Sequence, residues 1–143
     1  MAQPLTYLLD TNVWLERLLD QDRAGEVKQI LDVVPSSRLL ITDFSFHSIG
    51  VILVRLGLPE TLLGFTGDLF DRGSVRLLTL GPMDMERIVA VASEYGLDFD
   101  DAYQYVAADA NNVPLVSFDS DFDKTERGRI TPLQIMTERE TKE

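Results

Sequence analysis

The chain has no cysteine and only one histidine, His47. Without cysteine there is no thiol nucleophile, no thiolate zinc site and no disulfide, and the composition fits a reducing compartment such as the cytoplasm. Long apolar runs are also missing: nothing approaches the roughly 20 uninterrupted residues of a membrane span. The opening MAQPLTYLLD has no basic segment before its short apolar run, so neither a signal peptide nor a membrane partner is expected. Positive charge is scarce, with 13 Lys and Arg against 24 Asp and Glu and a net charge of −11. Between Asp98 and Asp123 there is no Lys or Arg, whereas Asp98, Asp100, Asp101, Asp109, Asp119, Asp121 and Asp123 all fall there. Such a run repels polyanions unless cations occupy it. It reads either as a solvated acidic surface or as a divalent-metal site.

What is present is an alternation of short apolar runs and helical periodicity. At 143 residues and 45% apolar content the chain suits one domain with a packed core. That domain is expected over residues 1–135, followed by a loose charged tail over 136–143. Strands are predicted at Leu5 to Leu9, Arg38 to Ile41, Val75 to Leu80 and Val113 to Phe118, with a short fifth at Arg129 to Thr131. Helices are predicted at Val13 to Leu19, Asp22 to Val34, Phe44 to Leu56, Glu60 to Asp71, Met83 to Tyr95 and Asp100 to Ala110. Thr42 and Asp43 can cap the third of these, and Gly57 and Gly96 stop the third and fifth. Strands separated by helices imply an α/β fold with a parallel sheet covered on both faces. Right-handed crossovers then bring the C-terminal ends of the strands to one edge, where open α/β sheets bind ligands.

The residues at that edge are acidic. Asp10 follows the first strand, Ser117 and Asp119 follow the fourth, and Asp101 opens the helix before it. Each has an ordinary reading as a helix cap or polar turn. Thr11 and Asn12 are also available to cap the first helix, which leaves Asp10 surplus under a capping account. Three carboxylates at close range raise one another's pKa, and Mg²⁺ or Mn²⁺ removes that cost while preferring oxygen ligands. Such a site suits phosphodiester hydrolysis by an activated water and requires no His or Cys nucleophile. Arg17, Arg38, Arg55, Arg72, Arg76 and Arg87 are candidates for a rim that guides a nucleic-acid backbone. Other acid-pocket folds fit less well. LLTLGP lacks the aspartate of a phospho-receiver, the Asp10-Thr11-Asn12 run lacks the second acid of a dehalogenase-type phosphatase, and no Gly-rich dinucleotide turn follows the first strand.

LLDTN after the first strand, a helix opening on DDA and VSFDSDF after the last buried strand occur in that order, with the expected elements between them. Together they resemble the PIN domain family, from Tyr7 to about Pro132. The resemblance implies a three-layer αβα fold with a central parallel sheet of four to five strands. It also implies a Mg²⁺- or Mn²⁺-dependent ribonuclease of the VapC toxin type. On this resemblance Asp10, Asp101 and Asp119 match the catalytic, metal-binding aspartates, with Asp121 as an additional ligand. Asn12 matches a polar residue that orients the site, and Ser117 a hydroxyl residue that bonds near the first aspartate. RNA is the implied substrate. An antitoxin that places a basic residue in the acidic pocket, and a second copy of the chain, are the implied partners. The family usually carries a glutamate in the helix after strand two. The matching position here is Ser48, and no glutamate occurs between Pro35 and Pro59. Two readings follow: an RNA-cutting toxin whose site is helped by Asp43 or His47, and a weakened or inactive module that binds RNA or a protein.

Overall fold

The structure is a computed structural model, and it describes residues 5–141. Four parallel strands form its sheet: β1 (Tyr7–Leu9), β2 (Leu39–Thr42), β3 (Arg76–Leu78) and β4 (Leu115–Val116), in the order β3-β2-β1-β4. The helices are α1 (Thr11–Leu18), α2 (Ala24–Val33), α3 (Asp43–Arg55), α4 (Pro59–Thr66), α5 (Met85–Tyr95), α6 (Phe99–Ala110) and α7 (Pro132–Thr141).

The alternation of side chains along the central strands sorts the core into two halves. Tyr7 and Leu9 of β1, with Leu39 and Ile41 of β2, face one way and pack with residues of α1, α2, α3, α4 and α7. Leu8 and Leu40 face the other way and pack with α5, α6 and Phe122. This is the expected three-layer αβα architecture. Because both faces of β1 are covered, its strand reads as an unbroken apolar run rather than an alternating one. Trp14 and Tyr7 are core residues. The Trp14 ring packs edge-on against Phe65 at 5.5 Å, and its indole N–H donates to the Leu9 carbonyl at 3.2 Å.

Several expectations change in detail. β1 starts at Tyr7 rather than Leu5, which lies outside the sheet with its side chain about half exposed. β4 is shorter than Val113 to Phe118, since Pro114 has no N–H to donate and the Val113 N–H turns back to Ala108. The fifth strand reduces to a single parallel bridge between Val116 and Ile130. The helix expected over Glu60 to Asp71 is α4 followed by one π-helical turn at Gly67–Asp71, closed by the Arg72 N–H on the Gly67 carbonyl. The Arg72 guanidinium folds back over that turn onto Asp68, and a Cβ at residue 67 would come within 2.6 Å of it.

At the C-terminus α7 runs from Pro132 to Thr141, across the expected boundary at 135, with Ile135 buried in the core beside α2 and Met136 packed partly against it. Residues 142 and 143, like 1–4, lie outside the described residues. No helix among the described residues is long and apolar enough to cross a membrane.

Candidate metal centre

The C-terminal ends of β1 and β4 are neighbours because those strands pair, with Leu9 opposite Val116. The chain leaves β1 through Asp10 and β4 through Ser117, so the two side chains meet directly. Asp10 is the N-cap of α1, its carbonyl accepting from the Val13 N–H and its carboxylate from the Thr11 N–H. The capping role that seemed available to Thr11 or Asn12 therefore belongs to Asp10 itself. Capping uses only part of the carboxylate. Oδ1 also accepts from the Gln104 amide at 2.9 Å, and Oδ2 accepts from the Ser117 hydroxyl at 2.7 Å.

Ser117 is completely buried and fully engaged. Its Oγ accepts from the Asn12 amide at 3.3 Å and from the Asp119 N–H at 2.9 Å while donating to Asp10. The Asn12 carbonyl oxygen accepts from the Phe118 N–H at 3.2 Å, which turns its NH₂ toward Ser117. Asn12 and Ser117 thus tie the β1 and β4 exits together. Asp119 in turn starts a short 3₁₀ turn at Ser120–Lys124, its Oδ1 accepting from the Asp121 N–H at 2.9 Å. That turn is pinned from beneath by Phe122, which is wholly buried.

Asp101 comes from the first turn of α6, whose N-terminus opens toward the same edge. One carboxylate oxygen from each of Asp101, Asp119 and Asp121 lies within 4.8 Å of the others. Asp101 and Asp119 are partly buried and Asp121 is exposed, so the cluster opens to solvent on one side. Asp10 sits deeper and is not a member of this three-way group. It is nevertheless close enough to raise the Asp101 carboxyl electrostatically, and Asp119 does the same to Asp10. Burial is the chief cause of a raised Asp10 pKa, opposed by its bonds from Ser117, Gln104 and Thr11. The Asp101 carboxyl is pushed up to about 7, first by burial and then by Asp10, Asp119, Asp98 and Asp100.

That shift has a consequence for stability. The folded state holds the Asp101 proton more tightly than the unfolded chain, whose ordinary value is 3.8. The folded state is therefore favoured at low pH and loses that advantage as pH rises from about 4 through 7. With metal removed by chelator, the melting temperature is expected to be higher near pH 5 than near pH 8, and Asp101→Asn to flatten the difference. Thermal melts followed by circular dichroism check this. An equal slope in wild type and variant would remove Asp101 as its source.

Beside these acids lies a cleft of about 420 Å³ lined by Asp10, Thr11, Asn12, Ser48, Asp101 and Gln104, with Asp100 and apolar residues of α3 completing it. Ser48 is in the cleft wall. Asp43 and His47 are not among the lining residues. The Asp43 carboxylate accepts from the Tyr103 hydroxyl at 2.6 Å, and His47 is exposed and stacked beside Phe46. Asp98 is the N-cap residue of α6, and Asp100 is exposed. No Lys or Arg among the described residues lines this cleft. Arg72 pairs with Asp68, Arg87 pairs with Asp109, and Arg17 lines a separate apolar groove with Trp14 and Phe65.

Sequence reasoning missed two residues of this network, Gln104 and Ser45, and took Thr42 only as a cap of α3. All three are buried and polar. The available signal was helical spacing, since Gln104 lies one turn after Asp101 and Ser45 one turn before Ser48, so each shares a face with a residue that was singled out.

A three-layer αβα protein with an acid-lined cleft at the C-terminal edge of its parallel sheet is the class defined by this fold and site. The chain belongs to the PIN domain family, whose profile matches residues 7–128. Members of that family are generally nucleases. Among solved structures it is similar to a toxin–antitoxin complex from Klebsiella pneumoniae, with a TM-score of 0.71 and 23% identity over 89% of this chain and 98% of the other. It is also similar to the Mycobacterium tuberculosis VapC20 toxin, described as cleaving the sarcin–ricin loop, with a TM-score of 0.70 and 15% identity over 85% and 96%. A third is FitAcB from Neisseria gonorrhoeae, with a TM-score of 0.69 and 21% identity over 90% and 99%. No curated protein matches the sequence.

Proposed function

We propose that this chain is a divalent-metal ribonuclease acting as the toxin of a toxin–antitoxin pair. The observation that carries the reading is the convergence of Asp101, Asp119 and Asp121 beside the buried Asp10. The donor set fits Mg²⁺ or Mn²⁺: every candidate ligand is a carboxylate oxygen, with no imidazole or thiolate among them. The fit is also electrostatic, because burial and then negative neighbours raise the Asp101 carboxyl to about 7, and a bound cation would favour its charged form.

In this reading Asp10, Asp101, Asp119 and Asp121 hold the ion. A bound divalent ion polarises the scissile phosphate and lowers the pKa of an attacking water. The protein's own part is to hold the ligands still and keep the cleft open to a strand. Asn12 and Ser117 fix Asp10, and Phe122 fixes the turn that carries Asp119 and Asp121. Water adds to phosphorus, and the bond to the leaving ribose oxygen breaks. An acid-lined cleft without a cation of its own suits an antitoxin that inserts a basic side chain. The known complexes of similar fold support that partnership. Val54 on α3 and Leu63 on α4 are exposed apolar residues and candidates for contact with a second copy of the chain.

Purified protein incubated with single-stranded RNA and Mn²⁺ is expected to cut it, and Asp10→Asn to stop the cutting. Fragments that persist in that variant would point to a contaminating nuclease and sink the assignment. Ser48 favours a second reading, a weakened module, because it puts a hydroxyl in the cleft wall where the family sets a carboxylate. Ser48→Glu distinguishes the two. If the wild type is weakened, the variant should cleave about tenfold faster or more. An unchanged rate in an active wild type would show that the site is complete without that glutamate.

A further inference from the structure

Gln104 is a glutamine buried on the inner face of α6, and its environment determines which way its amide points. Thr42 caps α3 by accepting the Ser45 N–H at 3.0 Å. Its hydroxyl hydrogen is then free to donate, and it donates to Gln104 Oε1 at 2.6 Å. With Oε1 committed to Thr42, the two hydrogens of Nε2 face the other way. One goes to Asp10 Oδ1 at 2.9 Å and one to Ser45 Oγ at 2.8 Å. Ser45 Oγ also contacts the Thr11 hydroxyl at 2.7 Å, and Thr11 is the residue whose N–H caps onto Asp10. Every polar atom of the Gln104 side chain is thus engaged, and among the described residues no buried side-chain polar atom lacks a partner.

We infer that Gln104 is a positioning residue of the metal centre beside Ser117, a neutral amide that orients Asp10 from behind. The inference rests on the nuclease reading above. The donors from Thr11 and Gln104 fill Oδ1 of Asp10, and Ser117 takes one lone pair of Oδ2. What remains open is the second lone pair of Oδ2, the acceptor through which Asp10 would contact a cation. A neutral donor suits the place better than a cation would. Lys or Arg there would neutralise Asp10 and compete with the metal for it, whereas an amide sets the geometry and leaves the charge available. The same amide joins the end of β2, the start of α3, the start of α1 and the middle of α6 at one point. It thereby holds in register the elements that carry Asp10, Ser48 and Asp101. Outer partners of this kind typically set metal affinity by 10–100-fold.

The test uses the full chain. Gln104→Met keeps the length of the side chain and removes its donors and acceptor. Mn²⁺ affinity measured by calorimetry is expected to fall tenfold or more, and kcat for single-stranded RNA to fall with it, while KM for RNA stays within about twofold of wild type. A merely structural glutamine would lower the melting temperature and leave Mn²⁺ affinity of the folded protein unchanged, and that result overturns the inference. In wild-type protein, the Gln104 side-chain NH₂ signals in a ¹⁵N-resolved NMR spectrum are expected to shift along the same Mg²⁺ isotherm as the backbone amide of Asp101. This readout stands even if the methionine variant fails to fold, and stationary Gln104 signals beside a shifting Asp101 would reject the role. A wild-type protein with no Mn²⁺ affinity overturns the nuclease reading and this inference together. Tight wild-type binding matched by Gln104→Met overturns this inference alone.

Discussion

Asp101→Asn is expected to lower Mn²⁺-dependent RNA cleavage by at least about 100-fold, since losing a ligand should exceed the 10–100-fold typical of losing an outer partner. The same substitution is expected to stabilise the metal-free protein, raising its melting temperature by about 2–4 °C. Both effects have one cause. Asp101 stands beside Asp10, Asp119, Asp98 and Asp100, and its carboxyl is pushed up to about 7 by burial and those negative neighbours. Above that pH the folded protein holds a carboxylate that would be better solvated in the unfolded chain. Asparagine has nearly the same shape and no charge, so it removes the repulsion and the ligand together. The gain is held to a few degrees because the side chain is partly exposed and water screens it. Added Mn²⁺ should reverse the order, stabilising wild type more than the variant through preferential binding to the folded state. Melting curves with chelator and with Mn²⁺, run beside the cleavage assay, read all three quantities. A variant that loses activity and stability alike would mean that residue 101 holds the fold rather than the ion.

Phe122→Ala is expected to cost about 3–5 kcal/mol of unfolding free energy, the range for deleting a wholly buried phenylalanine. Phe122 sits in the core half formed by Leu8, Leu40, α5 and α6, although the chain around it is a five-residue polar turn. It is the one apolar anchor of the segment SDFDK, flanked by Asp121 and Asp123 and following Asp119. The Phe122 carbonyl also accepts from the Thr125 hydroxyl at 2.6 Å, which closes the turn behind it. With the ring gone, the turn has no fixed depth, and the Asp119 and Asp121 oxygens lose their position relative to Asp101. Mn²⁺ affinity should therefore fall even in protein that remains folded. Phe122→Leu, which keeps most of the apolar volume, should retain more than half of the lost stability and most of the affinity. Urea unfolding gives the stability and calorimetry the affinity. Wild-type affinity in a folded but destabilised Phe122→Ala would show that the turn is held by something else.

Much of the site was legible because its signals are local. The apolar run of β1 ends at Asp10, and that of β4 ends near Ser117 and Asp119. Asp101 falls at the start of a helix with a buried face. Run lengths, helical periodicity and the rule that α/β ligands gather at the C-terminal strand edge suffice to nominate those positions. The same local reading offered no helix after Thr131, where α7 packs Ile135 and Met136 against the core. It also left the arginines' partners unread. Arg72 and Arg87 are spent on Asp68 and Asp109, pairings that a count of charges cannot reveal.

The chain's order of apolar runs and caps determined by itself that this would be an alternating α/β domain with aspartates at the exits of β1 and β4 and the entrance of α6. Tertiary structure alone decided which of those acids share one small space, with Asp101, Asp119 and Asp121 grouped and Asp10 set behind them. It alone brought Gln104 against Asp10 across 94 positions of chain and Ser117 against the same carboxylate across 107. Periodicity and capping act over a turn or two of backbone. A hydrogen bond between distant segments exists only once the sheet has closed in the order β3-β2-β1-β4 and set β1 between its two neighbours.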